Sequence, residues 1–197
     1  MQTHGHLLPL FLAFVFTTTA SSRQDSRAQS ATAADIKTVV AQGRVLGTDY
    51  TNDYFHVIVH VPGPNTFQEV NTIVTENRAQ LLNAANTTGS MEQRHSFAIV
   101  VHSAQIPGLQ STAQFVRSVR HSLEREGLET VTSEVPVSID GHVFIQSTLR
   151  KDVPGEKFYK GISCAMLNGY IFGFWVEAAS EAELNKMLDL RNRVKFW

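Results

Sequence analysis

KFYKGISCAMLNGYIFGFWVEA, residues 157–178, decides how the C-terminal half of the chain folds. At its centre stands Asn168-Gly169, and both residue types tolerate the positive φ that a two-residue type I′ hairpin turn requires. The predicted cross-strand partners, from the turn outward, are Leu167 with Tyr170, Cys164 with Gly173, and Lys160 with Glu177. The last pair places opposite charges directly across the hairpin, which supports this register.

A second turn signal extends this hairpin into a larger sheet. Asp140-Gly141 is flanked by the strand-like segments ETVTSEVPVSI and HVFIQSTLRK. The two hairpins follow each other directly, so the sequence predicts a four-stranded antiparallel meander. Strand alternation places Tyr170, Phe172 and Phe174 on one face of the meander and Trp175 on the other.

Strand patterns also appear in the N-terminal half. GRVLGTDYTN and YFHVIVHVP, from residue 43 to residue 62, predict two strands with a tight polar connection. The second strand alternates, with Phe55, Val57, Val59 and Val61 forming an apolar row on one side. HSFAIVVHS, residues 95–103, predicts a short buried strand.

Three capping patterns predict helices between and after these strands. Thr66–Glu69 precedes an apolar stripe that is made of Phe67, Val70, Ile73, Val74 and Leu81. Ser111–Gln114 precedes a stripe that is made of Phe115, Val116, Val119 and Leu123, with Gly127 as the residue that ends the helix. Ser180–Glu183 precedes Leu184, Met187 and Leu188. The predicted class is therefore α+β, a mostly antiparallel central sheet flanked by helices.

The composition of the chain argues against nucleic-acid binding and predicts a single domain. The chain has 197 residues and a net charge of −1, and its basic residues are scattered. A nucleic-acid-binding protein needs a clustered basic surface, so we expect no nucleic acid partner. About 150 residues make a typical domain, which predicts a single domain over residues 43–197.

The N-terminus predicts export. Residues 7–16, LLPLFLAFVF, match the apolar core of a signal peptide and are too short for a bilayer-spanning helix of about 20 residues. We expect a signal peptide over residues 1–20 and a flexible linker over residues 21–42, and therefore a secreted or periplasmic protein. The alternative is that the apolar segment stays uncleaved and anchors the protein in a membrane.

No residue is predicted to be catalytic, cofactor-binding or metal-binding. His56 and His60 are four apart, but on one strand that spacing separates them by about 13 Å, too far to share a zinc ion. Cys164, the single cysteine, lies inside a predicted strand and is expected to be a small buried hydrophobe. Asn86-Thr87-Thr88 matches a glycosylation acceptor pattern.

Two regions resemble the PsbP-like domain family. The first is the segment from Gly43 to Pro62, with Tyr50, Asn52, Tyr54 and Phe55 in the pattern G…Y.N.YF…..VP. The second is Asn168-Gly169-Tyr170 leading into an aromatic strand, followed by Ala178-Ala179-Ser180 and a terminal helix that ends in VKFW. The resemblance covers residues 43–197 and implies an α/β/α sandwich of the exported bacterial type.

The resemblance also implies a non-catalytic role, since members serve as photosystem accessory subunits, as binders of a small GTPase, or as exported bacterial proteins. The sequence-based hypothesis is therefore an exported accessory or interaction module that uses no cofactor. Its partner would be a protein or an envelope component, and it would contact a membrane only if the N-terminal segment is uncleaved. The alternative is an enzyme or a small-ligand-binding protein with a pocket between helices and sheet.

Overall fold

The structure, a computed structural model, describes residues 35–61, 66–88, 90, 93–154 and 156–197. The helices are α1 (Ile36–Ala41), α2 (Thr112–Arg125) and α3 (Glu181–Leu188), and a 3₁₀ turn covers Leu190–Asn192. The strands are β1 (Gly43–Leu46), β2 (Asp49–Asn52), β3 (Val57–His60), β4 (Thr66–Thr75), β5 (Arg78–Asn86), β6 (His95–Ser103), β7 (Glu129–Ile139), β8 (His142–Val153), β9 (Glu156–Leu167), β10 (Tyr170–Ala178) and β11 (Val194–Phe196). Within these ranges, no helix has the length and apolar character that a membrane crossing requires.

The predicted C-terminal meander is confirmed. Strands β7, β8, β9 and β10 pair antiparallel in chain order. Asn168 and Gly169 have φ of 50° and 81°, as a type I′ turn requires. The register also agrees, since Cys164 lies opposite Gly173 and Lys160 opposite Glu177. In that last pair, the lysine Nζ lies 2.8 Å from the glutamate Oε1.

The meander continues into a larger sheet through β6. Strand β10 pairs with both β9 and β6, and the described strands form a seven-stranded antiparallel sheet in the order β4-β5-β6-β10-β9-β8-β7. The predicted strand over residues 95–103 is therefore confirmed, and it lies next to the aromatic strand rather than at an edge. Central placement explains its nearly continuous apolar sequence.

The helix predicted after Thr66–Glu69 is wrong, because that segment is the hairpin of β4 and β5. The threonine, valine and isoleucine content of residues 66–75 favours an extended backbone, and strand pairing with β5 satisfies it. Val70, Ile73 and Val74 are 38%, 43% and 47% exposed on this edge strand, while Leu81 lies fully buried on β5. A capping motif is a local signal, and here tertiary pairing overrides it.

A second, four-stranded sheet in the order β1-β2-β3-β11 packs against the seven-stranded sheet. The predicted row of Phe55, Val57, Val59 and Val61 is confirmed as core, with each residue at most 3% exposed. The predicted terminal helix ending in VKFW is wrong: α3 ends at Leu188, and residues 194–196 form β11, which pairs with β3.

Helix α1 corrects the predicted linker. Residues 36–41, within the predicted linker over 21–42, form a helix that begins at the Asp35 cap and buries Ile36 and Val39. These apolar side chains join the core beside the small sheet, which explains why this part is ordered. The predicted signal peptide over 1–20 and the linker before residue 35 lie outside the described residues and stay predictions.

The two faces of the seven-stranded sheet have different covers. We call the first the small-sheet face, because the four-stranded sheet, α1 and α3 pack on it. Helix α2 packs against β7, β8 and β9 on the opposite side, which we call the α2 face. Helices thus flank the sheet only in part, since a second sheet forms much of the layer on the small-sheet face.

The remaining helix predictions are confirmed. The Ser111 side chain accepts a hydrogen bond from the Gln114 backbone N–H and begins α2, and Gly127 follows its end with φ of 88°. Ser180 caps α3 in the same way through the Glu183 N–H. The predicted inward residues of α3, Leu184, Met187 and Leu188, are all buried.

Candidate functional site

The two histidines of the second predicted strand lie apart and have separate partners. His56 lies in the turn before β3 with φ of 50°, and its ring packs on Trp197 with the centroids 5.8 Å apart. The His60 Nδ1 lies 2.8 Å from the Asp49 Oδ1 on β2. Among the described residues, no group of three or more His, Cys, Asp or Glu side chains is arranged to hold a metal ion.

Cys164 lies in the core of the α2 face and is fully buried. Burial raises the pKa of its thiol, so the reactive thiolate is suppressed at neutral pH. Its Sγ lies 2.8 Å and the Trp175 Nε1 3.3 Å from where a Cβ on Gly173 would stand, so the sulfur and the indole edge together fill the space that this glycine leaves. The thiol therefore packs the sheet.

The acceptor pattern at Asn86 is engaged in local structure. The Asn86 side chain is buried, and its Nδ2 donates a hydrogen bond to the Gln93 carbonyl oxygen at 3.2 Å. Its Oδ1 accepts from the Thr88 backbone N–H at 3.2 Å. In the folded chain this amide holds the loop between β5 and β6.

A different set of polar side chains, on the α2 face, has unmet hydrogen-bonding capacity. We call Arg78, Asn83, His102 and Trp175 the sheet-face cluster. Each has a side-chain atom shielded from solvent without a hydrogen-bond partner among the described residues; the atoms are Arg78 Nε, Asn83 Oδ1, His102 Nε2 and Trp175 Nε1. Buried polar atoms are nearly always paired in folded proteins, so four such atoms on one sheet face mark a functional candidate.

Strand register brings the cluster together. On β5 and β6, Arg78 lies opposite His102 and Asn83 lies opposite Ala98. On β10, Trp175 lies opposite the same Ala98. Directly opposed residues of an antiparallel pair project to the same side, so all four side chains project from the α2 face of three neighbouring strands.

The residues of β6 between these polar groups are apolar. Ala98 and Val100 project to the same side from β6 and are 4% and 2% exposed. Gln80, opposite Val100, donates its Nε2 hydrogen bond to the Glu69 carboxylate on β4. That bond occupies the carboxylate at the β4 side of the cluster and holds it beside Gln80.

The cluster contains one positive charge, on Arg78, next to the neutral imidazole of His102. Burial, and secondarily the Arg78 charge, lowers the pKa of His102 to about 3, so its ring is neutral at pH 7. Burial lowers the pKa of Arg78, and no described carboxylate acts on it. A guanidinium stays protonated in proteins, so Arg78 is a partly buried cation for which the described residues supply no counter-ion.

The first turn of α2 contacts the end of the cluster that holds His102. Phe115 in that turn packs on the His102 ring, with the centroids 5.1 Å apart. The start of a helix carries partial positive charge. The end of the cluster that holds Arg78 and His102 therefore favours a negatively charged group.

His95, the buried histidine at the start of β6, differs because the chain supplies its partner. The His95 Nδ1 lies 2.9 Å from the Glu183 Oε1, and Lys186 Nζ lies 3.2 Å from the same oxygen. This contact joins β6 to α3 and stabilises the docking of that helix. Arg78 and His102 differ from His95 in that no described carboxylate lies beside them as Glu183 lies beside His95.

Sequence analysis missed the cluster for a specific reason. Arg78 lies in the segment that was predicted to be helical, and Asn83 follows Leu81, the last residue of the predicted apolar stripe, so no strand register was predicted for either. His102 was not predicted to be a site residue, and Trp175 was placed correctly on the opposite face from Phe174. The available signal was the row of polar residues at Arg78, Gln80 and Asn83 within an otherwise apolar strand.

Comparisons with known proteins show the fold. No family profile and no curated protein matches the chain in sequence. In structure it is similar to cyanobacterial PsbP (CyanoP) of Synechocystis, at a TM-score of 0.55 and 10% identity, with 80% of this chain and 99% of that chain covered. It is also similar to LpqN, involved in cell envelope biogenesis of Mycobacterium tuberculosis, at a TM-score of 0.41 and 12% identity, with 68% of this chain and 84% of that chain covered. The predicted PsbP-like fold is confirmed by the first of these likenesses.

Proposed function

We propose that the protein is an exported, non-catalytic binding module that holds its ligand at the sheet-face cluster. The observation that supports this function is the set of four shielded polar atoms without hydrogen-bond partners among the described residues. An unsatisfied buried polar group costs roughly 1–3 kcal/mol, and a ligand that pairs with these atoms recovers that free energy. The cluster thus favours a bound state over a purely structural role.

The chemistry of the candidate nucleophile and base supports binding rather than catalysis. The Cys164 thiol is buried with a raised pKa, so it is a poor nucleophile. With a pKa of about 3, His102 is a weak proton acceptor at neutral pH, far from the value near 7 that suits a general base. Both groups are held in forms suited to packing and hydrogen bonding.

Export is the second part of the proposal and rests on the apolar segment at residues 7–16. A partner or ligand of the envelope or the extracellular medium follows from that location. The ligand would occupy the sheet-face cluster. In this proposal the predicted accessory role depends on the α2 face, where the sheet-face cluster lies.

Tryptophan fluorescence tests the binding function directly, because the chain has two tryptophans and one lies in the cluster. Trp197→Phe leaves Trp175 as the reporter, and Trp175→Phe leaves Trp197 as the matched control. We expect polar small molecules extracted from the host envelope to change Trp175 fluorescence saturably and to leave Trp197 fluorescence unchanged. Asn83→Leu, added to Trp197→Phe, should abolish the response.

The same mixture tests the absence of catalysis. After incubation with the wild-type protein, mass spectrometry should show no component of the extract consumed. Consumption that disappears in His102→Gln would contradict the non-catalytic assignment. Equal responses from the two tryptophans, or no response from either, would contradict binding at the cluster.

A further inference from the structure

We propose that the ligand presents an oxyanion, a phosphate or carboxylate group, to Arg78 at the end of the cluster beside the first turn of α2. This inference rests on the proposed function and specifies its ligand class. A partly buried guanidinium is costly without a counter-ion, and a bidentate oxyanion is the partner that its fork of N–H groups fits best.

The neighbours of Arg78 favour an anion from outside the chain. The directly opposed side chain, His102, is a neutral ring that adds no negative charge. Arg78 begins β5 at the end of the sheet where Ser103 donates its backbone N–H to the Asn77 carbonyl oxygen. Two carboxylates of this hairpin accept hydrogen bonds from other side chains: Glu69 from the Gln80 Nε2, and Glu76 in the β4–β5 turn from the Asn77 Nδ2.

Asn83 and Trp175 give the ligand a second, uncharged end. The Trp175 Nε1 is a donor and the Asn83 Oδ1 is an acceptor, and both lie toward the middle of the sheet from Arg78. A group with hydroxyls pairs with both, since a hydroxyl donates and accepts. A hydroxylated oxyanion, either as a small molecule or as a lipid headgroup, therefore matches the chemistry of the two ends of the cluster.

The melting temperature of Arg78→Met distinguishes a ligand-binding arginine from a structural one. It should rise if Arg78 serves a ligand and fall if Arg78 stabilises the fold. Without added ligand, removing a buried cation that lacks a counter-ion should raise the melting temperature. Inorganic phosphate or glycerol 3-phosphate should raise the melting temperature of the wild type and leave that of Arg78→Met unchanged. Arg125→Met, which removes an exposed arginine of α2, should respond to phosphate like the wild type.

A lower melting temperature of Arg78→Met in the absence of ligand, with an unchanged phosphate response, would show that the chain itself pairs Arg78. That result would overturn the inference. Arg78→Lys keeps the charge without the fork, so we expect it to weaken glycerol 3-phosphate binding about tenfold or more. A wild-type measurement needs no variant: in ¹H–¹⁵N spectra, the Trp175 indole resonance should shift on addition of glycerol 3-phosphate and the Trp197 resonance should not.

Two further arms distinguish the source of the oxyanion and the level of failure. Flotation with phosphatidylglycerol vesicles, but not phosphatidylcholine vesicles, and loss of flotation in Arg78→Met, would identify a lipid headgroup. Response to soluble phosphates alone would identify a small molecule. If only the neutral fraction of the envelope extract changes Trp175 fluorescence, the oxyanion inference fails and the binding function stands; if nothing does, both fail.

Discussion

The two faces of the seven-stranded sheet use the same strands for different purposes. On β10, Phe172 and Phe174 project to the small-sheet face and are completely buried among other aromatic rings. Trp175, the next residue, projects to the α2 face with its indole N–H shielded but without a partner among the described residues. Because adjacent residues of a strand project to opposite sides, one strand supplies both a core and a candidate binding surface.

Stability and the proposed recognition thus depend on opposite faces of the same sheet. The small-sheet face is closed mainly by matching apolar surfaces, and of the shielded atoms without a partner among the described residues it holds the Ser163 Oγ, opposite Phe174. The α2 face combines packed apolar residues under α2 with the sheet-face cluster on β5, β6 and β10. Substitutions on the two faces should therefore separate loss of stability from loss of binding.

The largest effect is expected from Phe172→Ala on the small-sheet face. Phe172 is fully buried, and its ring centroid lies 5.0 Å from that of Phe55, in the turn between β2 and β3. Removing it should lower the free energy of unfolding by about 3–5 kcal/mol through lost burial and a cavity. Denaturant unfolding measures the loss, and Val143→Ala, at a position that is 63% exposed, should change it by about 0.5 kcal/mol or less. Equal losses in the two variants would contradict the assigned core.

A smaller loss is expected from Cys164→Ser on the α2 face. The serine hydroxyl would replace a fully buried thiol in an apolar surrounding and cost about 1–3 kcal/mol. Cys164→Ala is the matched control, since it removes the sulfur without burying a hydroxyl, and it should cost less. Rapid labelling of the native protein by a thiol reagent would show that this residue is exposed.

The pH dependence of the free energy of unfolding should show that His102 is held neutral in the folded chain. Its pKa is about 3 in the folded chain and near 6.5 when unfolded, so the unfolded state binds the additional proton. The stabilisation is therefore complete above pH 6.5 and falls as the pH falls from about 6.5 toward 3, by on the order of 1–2 kcal/mol at pH 5. Urea unfolding at pH 7.5 and pH 5 should show this loss in the wild type.

Two variants test whether His102, on the α2 face, causes this loss of stability at low pH. His102→Gln should reduce the difference between the two pH values, and exposed His60→Gln should retain it. Part of the slope should persist in His102→Gln, because burial also lowers the pKa of His95. An unchanged slope in His102→Gln would mean that the ring is not held neutral by its surroundings.

The smallest effect is expected from replacing both His56 and His60 with Gln. Both side chains are exposed, so the free energy of unfolding should change by about 0.5 kcal/mol or less, and the metal content should not change. Val57→Ala, at a fully buried position of the same segment, should cost about 1–3 kcal/mol. A stoichiometric zinc that is lost in the double histidine variant would contradict the placement of these side chains.

The fold could be predicted from the sequence where local chemistry and tertiary pairing agree. Asn168-Gly169 determines a turn type, the turn determines a register, and the register brought Lys160 opposite Glu177 as expected. The segment after Thr66 failed because its capping motif favours a helix while its β-branched residues favour a strand, and the pairing with β5 decided between them.

The candidate site could not be predicted, because it depends on pairing between distant segments. Arg78 and His102 are 24 positions apart in the sequence and become neighbours only through the β5–β6 register. Neither residue belongs to a catalytic or metal-binding motif. Their shielding from solvent, which makes the missing partners meaningful, is likewise a property of the packed sheet.

By itself, the sequence determined the turns, the alternation of strands β3, β9 and β10, the caps of α2 and α3, and the burial of Cys164. These features depend on backbone φ, on side-chain period and on residues near each other in the chain. Tertiary structure alone decided the sheet order, the second sheet with its C-terminal strand, and the gathering of the sheet-face cluster. The reason is physical: a strand has no hydrogen-bond partners of its own, so its neighbours are chosen by the whole chain.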